Sequence, residues 1–439
     1  MGHLGRCNLH HQASQMTYGL VDGNCFFVSC ERIFRPSLKK KPVIVLSNND
    51  GCAVARSDEA KALGIKMGTP WFKIKHLADS HGLVALSSNF ALYGDMSDRM
   101  MQIIGRFSPL QEIYSIDECF ISLDGFNTNL AEYGKSIKET VYKEIGIPTC
   151  VGIGKTKTLA KLANHFAKKQ KQWNGVCDLT ALTRYEIASL MNQTPTREVW
   201  GIGRQLDKKL DSMGIQTVFD LVKLDPAKAH KAFSILMADT ILELRGIERI
   251  TLNLAPAPKQ EIMSSRSFGN PITSFSDLSD ILSELCTKAS TKLRKQNSIA
   301  KRLMIFIGTS TFRKCQQYQN SRIVQLSHPT SSTTRVINTA LQALNVIFKD
   351  NIQYSKAGIM LMDLVPAQSC QGELFDEIAE SPKSDSLMAV MDKLNAQYGK
   401  NTLKVASMGN HDTEGWYTKQ ERKTPAYTTD WRELLIVKA

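Results

Sequence analysis

The sequence predicts an α+β protein of several units, and three observations carry that expectation. Apolar strands alternate with crossing helices across roughly residues 16–178, residues 179–253 are helical with little β signal, and the segment after a proline-bearing linker runs β-α-β-β-α-β. At 439 residues the chain has room for about three or four domains of ordinary size.

The elements follow from local pattern. Residues 1–15 lack periodicity and read as a disordered extension. Its His3, Cys7, His10 and His11 are too irregularly spaced to suggest a metal site. Residues 17–22 alternate as a strand does, and the segment from Gly23 turns helical. Residues 42–48 form a short apolar strand ending in the turn Asn48-Asn49-Asp50-Gly51, and 58–63 a short helix closed by Gly64. Residues 112–123 read as a hairpin or bent strand, 130–145 as a helix, 149–153 as a strand and 158–169 as a second helix. Pro256 and Pro258 mark 254–260 as an extended linker. Beyond it, 261–268, 302–312, 321–326 and 357–364 read as strands, with helices at 277–296 and 333–348. The tail, 366–439, carries short helical pieces, turn-rich ends and no obvious core.

Charge narrows the functional classes. The net charge is +13, which points first to a polyanionic partner. The surplus is uneven: residues 366–439 hold nine Lys/Arg against eleven Asp/Glu, whereas 259–365 hold fourteen against six. The tail therefore serves something other than phosphate. Ten scattered cysteines without a CxxC pair, and no apolar run near the ~18–20 residues of a membrane span, predict a reduced, cytoplasmic protein.

Asp22 ends a strand, where ligand sites open in α/β folds. Asp117 and Glu118 are adjacent, and neighbours on a regular strand face opposite ways, so both serve one site only if the strand bends there. Clustered carboxylates are what two hard divalent cations need for phosphoryl transfer. Gly152-Ile-Gly-Lys-Thr156 invites a different reading, an ATPase phosphate loop. That loop needs a glycine at position 149, which is Thr.

Five blocks in order, Asp22-Gly-Asn-Cys-Phe-Phe27, Ser47-Asn-Asn-Asp-Gly-Cys52, Ala60-Lys-Ala-Leu-Gly-Ile65, Tyr114-Ser-Ile-Asp-Glu118 and Val151-Gly-Ile-Gly-Lys-Thr-Lys-Thr-Leu-Ala-Lys-Leu162, resemble the motifs of the Y-family translesion DNA polymerases. The likeness runs from about residue 17 to the end and is closest to the family's UmuC-like branch. It implies a right-handed architecture: palm at 16–26 and 90–178, fingers at 27–89, helical thumb at 179–253, linker at 254–260, βαββαβ little finger at 261–365 and a partner-binding tail at 366–439. It implies error-prone, template-directed DNA synthesis in the SOS response to DNA damage, without proofreading. The cofactors implied are two Mg²⁺ ions, with dNTPs as substrates. The metal ligands would be Asp22, Asp117 and Glu118, with the Gly23 carbonyl. Phe27 would be the aromatic gate that clashes with a ribose 2′-OH, and Phe26 a pocket or core neighbour. Triphosphate contacts would come from Lys61 and Lys161. Relatives' Thr and Tyr contacts are not carried over, because Ala55 and Asp58 stand there; Arg56 is a nearby candidate.

Gly201-Ile-Gly203, followed by Lys208, Lys209 and Gly214, looks like a helix–hairpin–helix whose glycines let backbone N–H groups approach a DNA phosphate. In the little finger, Arg266, Arg294, Lys301, Arg302, Arg313 and Arg322 are candidate phosphate contacts. Gln371, Leu374 and Phe375 resemble a sliding-clamp peptide. The implied partners are primer–template DNA, the sliding clamp, a cleaved UmuD-like dimer and RecA, with no membrane. A DNA-binding scaffold that lost catalysis is the alternative, and the intact carboxylates argue against it.

Overall fold

Residues 18–23 form β1 (Tyr18–Gly23), buried on both faces rather than on alternate residues as the sequence reading expects, and α1 (Phe26–Phe34) follows directly. The computed structural model describes residues 16–313, 315–369, 382–409 and 418–435. They fall into two units. The first comprises Met1–Ser47, Gly51–Ala255 and Arg422–Ala439, and the second Asn48–Asp50 and Pro256–Glu421.

In the first unit, β2 (Val43–Leu46), β3 (Ala53–Arg56), the short helices α2 (Asp58–Ala62), α3 (Trp71–Ile74) and α4 (Leu77–His81), and β4 (Val84–Ser87) come next. Their strands form a small sheet in the order β3-β2-β4. Then follow α5 (Phe90–Gly105), β5 (Gln111–Ile113), β6 (Glu118–Ser122), α6 (Leu130–Ile145), β7 (Thr149–Gly154), α7 (Lys157–Lys169) and β8 (Val176–Asp178). The main sheet has the order β5-β6-β1-β7-β8, with β1 antiparallel to both neighbours. Val21 packs into a core shared with residues of α1, α5 and α6, while Leu20 joins Phe120 and Ala160 in a second cluster. Burial on both faces is what makes β1 an apolar run with Asp22 at its end.

The two glycines of β7 have a packing role. A Cβ on Gly152 would lie 2.1 Å from the Asn164 amide nitrogen and one on Gly154 2.7 Å from that of Ala160, so α7 can approach the strand only because both are glycine. Thr156 caps α7 by accepting from the Leu159 N–H at 3.2 Å. The Gly-Ile-Gly-Lys-Thr segment is therefore a strand–helix contact, which accounts for its glycines without a phosphate loop.

Helices α8 (Arg184–Asn192), α9 (Arg204–Ser212), α10 (Val218–Lys223), α11 (Pro226–Ala232) and α12 (Ile235–Leu244) complete this unit. Their shared core includes Leu210, Val218, Leu221 and Ile241. Capping boxes at Thr183–Glu186 and Thr217–Asp220 start α8 and α10.

The second unit has the βαββαβ order expected: β9 (Ile262–Ile272), α13 (Phe275–Lys295), β10 (Ser298–Gly308), β11 (Gln319–Thr330), α14 (Thr333–Ile347) and β12 (Tyr354–Pro366). Its antiparallel sheet runs β11-β10-β12-β9. Apolar residues of α13 and α14 share one core with Leu303, Ile305, Ile307, Ile359 and Leu361 of the sheet.

The tail departs from the expectation of short, coreless pieces. Helix α15 (Pro382–Tyr398) spans 17 residues, and its Met388 and Met391 are buried. Arg294 donates from Nε to Asp392 at 2.7 Å and from Nη1 to the Ser331 carbonyl at 2.7 Å. Residues 422–427 pack into the first unit: Thr424 and Tyr427 are buried, and the Tyr427 ring stacks on Phe34 at 4.7 Å. A lone Tyr among polar residues and a helix of low amphipathicity gave no periodic signal for either contact.

Candidate active site

Strand pairing brings the carboxylates together. Asp22, at the end of β1, is opposite Glu118 at the start of β6, and the Gly23 N–H donates to the Asp117 carbonyl at 2.7 Å. Asp117 itself belongs to the turn between β5 and β6. There the Tyr114 and Ser115 N–H groups both donate to the Glu118 carbonyl, and the Ser115 hydroxyl donates to Asp117 Oδ1 at 2.6 Å. Asp117 thus lies in a turn and Glu118 starts β6; of the two, Asp117 lines the cavity that Asp22 also lines and Glu118 does not.

Asp22, Gly23 and Asp117 line a cavity of about 280 Å³. Phe26 and Phe27 from α1 form another part of its wall, with Val54, Ala55, Arg56 and Lys61 from β3 and α2. The Lys61 ammonium contacts Asp58 at 2.8 Å and Cys25 Sγ at 3.2 Å. Arg56 donates from Nη1 to the Ile65 carbonyl at 2.7 Å, while its buried Nε has no partner among the described residues. Phe27 stacks on Tyr93, and Phe26 is almost wholly buried. The wall thus carries carboxylates, cations and an aromatic ring, the functional groups a metal-bound nucleotide requires.

One cation was not singled out by sequence. Lys168 lines the cavity and its ammonium lies 2.6 Å from Asp22 Oδ1, whereas Lys161 does not line it. Lys161 instead pairs with Glu118 at 2.8 Å, over the ring of Tyr114 at 4.3 Å. The signal for Lys168 was available: it stands seven residues after Lys161, two helical turns on, and so on the same face of α7.

Burial pushes the Asp22 carboxyl up to about 6, against the opposing pull of Lys168 and with the Asp117 and Glu118 charges adding to the rise. Among the described residues no three acidic, His or Cys side chains form a ready-made ion cage. Lysine ammoniums occupy Asp22 and Glu118, as counter-charges such a cluster needs. The donor set, all carboxylate and carbonyl oxygen, fits a hard divalent cation.

The other expected sites fall as follows. Gly201 has φ +87°, and a Cβ at Gly201 or Gly203 would meet nothing within 4 Å, so both present open backbone beside exposed Lys208. Lys209 is engaged internally, donating to the Ala232 carbonyl at 2.5 Å. Arg266 lines a polar cavity with Lys356, Ser265 and Ser267 and is 3.9 Å from Glu284. Arg302 is paired with Asp363, and Arg313 and Arg322 are exposed. Gln371, Leu374, Phe375 and residues 1–15 lie outside the described residues. No helix among the described residues is long and apolar enough to cross a membrane.

Comparison with known proteins bears on the fold and the family. The chain's fold resembles that of a Y-family DNA polymerase chimera of Dbh and Dpo4, with a TM-score of 0.63 and 22% identity, covering 80% of this chain and 99% of that one. Fold and relatives together define a DNA-directed DNA polymerase of the Y family. The impB/mucB/samB family matches residues 21–165, its C-terminal domain 259–374, and a domain of unknown function (DUF4113) 385–437. Protein UmuC of Salmonella typhimurium is 42% identical over 96% of this chain and 100% of its own length, and Protein ImpB of the same species 41% over 96% and 99%. A DNA polymerase IV of Dehalococcoides mccartyi is 29% identical over 88% of this chain and 95% of its own. The chain belongs to the impB/mucB/samB family.

Proposed function

We propose that this polymerase performs error-prone translesion synthesis in the SOS response by two-metal nucleotidyl transfer, with Asp22, Asp117, Glu118 and the Gly23 carbonyl holding two Mg²⁺ ions. The supporting observation is the single cavity wall that joins Asp22 and Asp117 to Phe27 and to three cations, Arg56, Lys61 and Lys168. Divalent ions bound there would activate the primer hydroxyl and neutralise the triphosphate. The chain's own groups do the rest. Lys61 and Lys168 meet phosphate oxygens, and Lys168 exchanges its contact with Asp22 for one with the incoming nucleotide. The Phe27 ring fills the space a ribose 2′-OH would need.

In this reading the sheet of β1 and β5–β8 is the palm, β2–β4 with α2–α4 the fingers, α8–α12 the thumb and 261–365 the little finger. Exposed Gly201 and Gly203 touch the DNA backbone without reading sequence, and Arg266, Arg302 and Arg313 contact phosphates. Gln371, Leu374 and Phe375 dock on the sliding clamp, and a cleaved UmuD-like dimer and RecA complete a cytoplasmic complex. Few side chains pressing on the nascent pair would mean low discrimination, hence errors and lesion tolerance.

Primer extension with Mg²⁺ and dNTPs tests this. Asp117→Ala should abolish incorporation and leave primer–template affinity nearly unchanged; normal extension by that variant would defeat the metal assignment. Binding without extension by the parent protein would favour the inactive scaffold.

A further inference from the structure

We propose that Tyr93 is a positioning residue for sugar selection, holding the Phe27 ring in place, and that the C-terminal segment 422–427 holds Tyr93 through Thr424 and Glu31. The proposal rests on the reading of Phe27 as the sugar gate. It gives a role to part of the region that a domain of unknown function (DUF4113) matches.

A gate ring discriminates only if it cannot swing aside, because a phenylalanine in an open pocket has more than one rotamer. Phe27 is packed on its face and its edge. Its ring stacks on Tyr93 with centroids 4.5 Å apart and planes 14° apart, and Phe90 stands edge-on to it at 6.1 Å. Phe90 is also edge-on to Tyr93, so the three rings form one cluster.

Tyr93 is wholly buried, and its hydroxyl donates to Glu31 Oε1 at 2.7 Å. Glu31 lies on α1 four residues after Phe27, on the same helical face, and is itself fully buried. The Thr424 hydroxyl donates to the same oxygen at 3.1 Å, while Glu31 Oε2 has no partner among the described residues. The carboxylate is thus oriented by two hydroxyls, one from α5 and one from the C-terminal segment. Burial raises the Glu31 carboxyl above its ordinary range, and these two hydroxyls pull it back.

Thr424 is fixed in turn by the residue that starts α5. Asn89 caps that helix through Oδ1, and its Nδ2 donates to the Thr424 carbonyl at 3.1 Å, to its hydroxyl at 3.2 Å and to the Pro425 carbonyl at 3.1 Å. The Ser87 N–H donates to the Arg422 carbonyl, and the Arg422 N–H to the Ser87 hydroxyl. The loop closes: α1 carries Phe27 and Glu31, α5 carries Phe90 and Tyr93, and the C-terminal segment ties both.

The experiment is single-nucleotide insertion by the full-length chain, comparing kcat/KM for a dNTP with that for the matching rNTP. Phe27→Leu tests the gate itself and should lower selectivity strongly. Tyr93→Leu should lower it by about two- to tenfold, the worth of a stacked aromatic pair, with rNTP insertion rising more than dNTP insertion falls. Tyr93→Phe keeps the stack but cuts the hydroxyl link to Glu31, so it should lose less than Tyr93→Leu and at least as much as Thr424→Val, and Tyr93→Leu should add nothing in the Phe27→Leu background. Thr424→Val preserves shape and removes one hydroxyl, so it should give a smaller loss in the same direction, and it carries the test if Tyr93→Leu does not fold. A strong loss in Phe27→Leu with none in Tyr93→Leu or Thr424→Val overturns the positioning role and leaves the gate standing. No loss in Phe27→Leu overturns the gate reading itself.

Discussion

Replacing Lys157 by Met should cost roughly 3–5 kcal/mol of stability, because it leaves Glu112 as an unpaired charge in a buried site. The Lys157 ammonium lies 2.6 Å from Glu112 Oε2, with the two side chains only 3% and 10% exposed. The ammonium also sits 4.6 Å from the centre of the Phe120 ring. Glu112 accepts one further bond, from the Asn253 N–H at 2.8 Å, too little to support a lone carboxylate. Converting both partners, Lys157→Met with Glu112→Leu, removes the charge and its counter-charge together. What remain are the Asn253 N–H and the Thr251 carbonyl, whose residues are exposed and can turn to water at about 1 kcal/mol each. The double variant should therefore be more stable than the single one. Urea unfolding measures the difference, with hydrogen exchange on β5 and α7 separating this unit from the other. A loss below about 1 kcal/mol in Lys157→Met, or a double variant as weak as the single, would refute the argument. Because β5 leads straight into the turn bearing Asp117, the single variant should also slow insertion.

Lys168→Ala should lower kcat/KM for dNTPs by roughly ten- to a hundredfold, the worth of a charge-assisted hydrogen bond, whereas Lys161→Ala should cost less; the opposite order would return the triphosphate contact to Lys161. Leu374→Ala with Phe375→Ala should leave insertion on a short primer unchanged and remove clamp-stimulated synthesis on long templates, since a tether raises local concentration without altering the active site. Full stimulation of that variant would show the peptide is not the clamp contact. For Glu31, burial raises the folded carboxyl above its unfolded value, so the folded state binds the proton more tightly. That contribution is complete below the ordinary value of about 4.3 and is lost as pH rises through the folded value. Glu31→Gln should flatten the decline, and an unchanged slope in the stability–pH curve would exclude Glu31 as its source.

How much was legible depended on whether a signal was local. The βαββαβ order could be read because each of its helices and strands buries one face, which writes period 3.6 or 2 into the sequence. Asp22, which lines the cavity, could be read as a candidate because it ends a strand, and the need for a bend if Asp117 and Glu118 are to share a site followed from strand geometry alone. The strands β3 and β4 and the 16-residue helix α5 were not assigned. The two strands are only four residues long and α5 mixes buried Met100 and Met101 with polar neighbours, so neither period stands out. Lys168 was missed because a lysine's role depends on which wall its helix face lines, and that is set by strand pairing rather than by spacing. Thr424 is the limiting case. Its importance lies in one hydroxyl meeting a carboxylate 393 residues earlier, and no window of sequence contains both. That same separation gives the contact its value. A segment held to α1 and α5 by hydrogen bonds from Asn89 and to Glu31 adds restraint to two helices that already share one core, so it can tighten the gate's support from outside the local sequence.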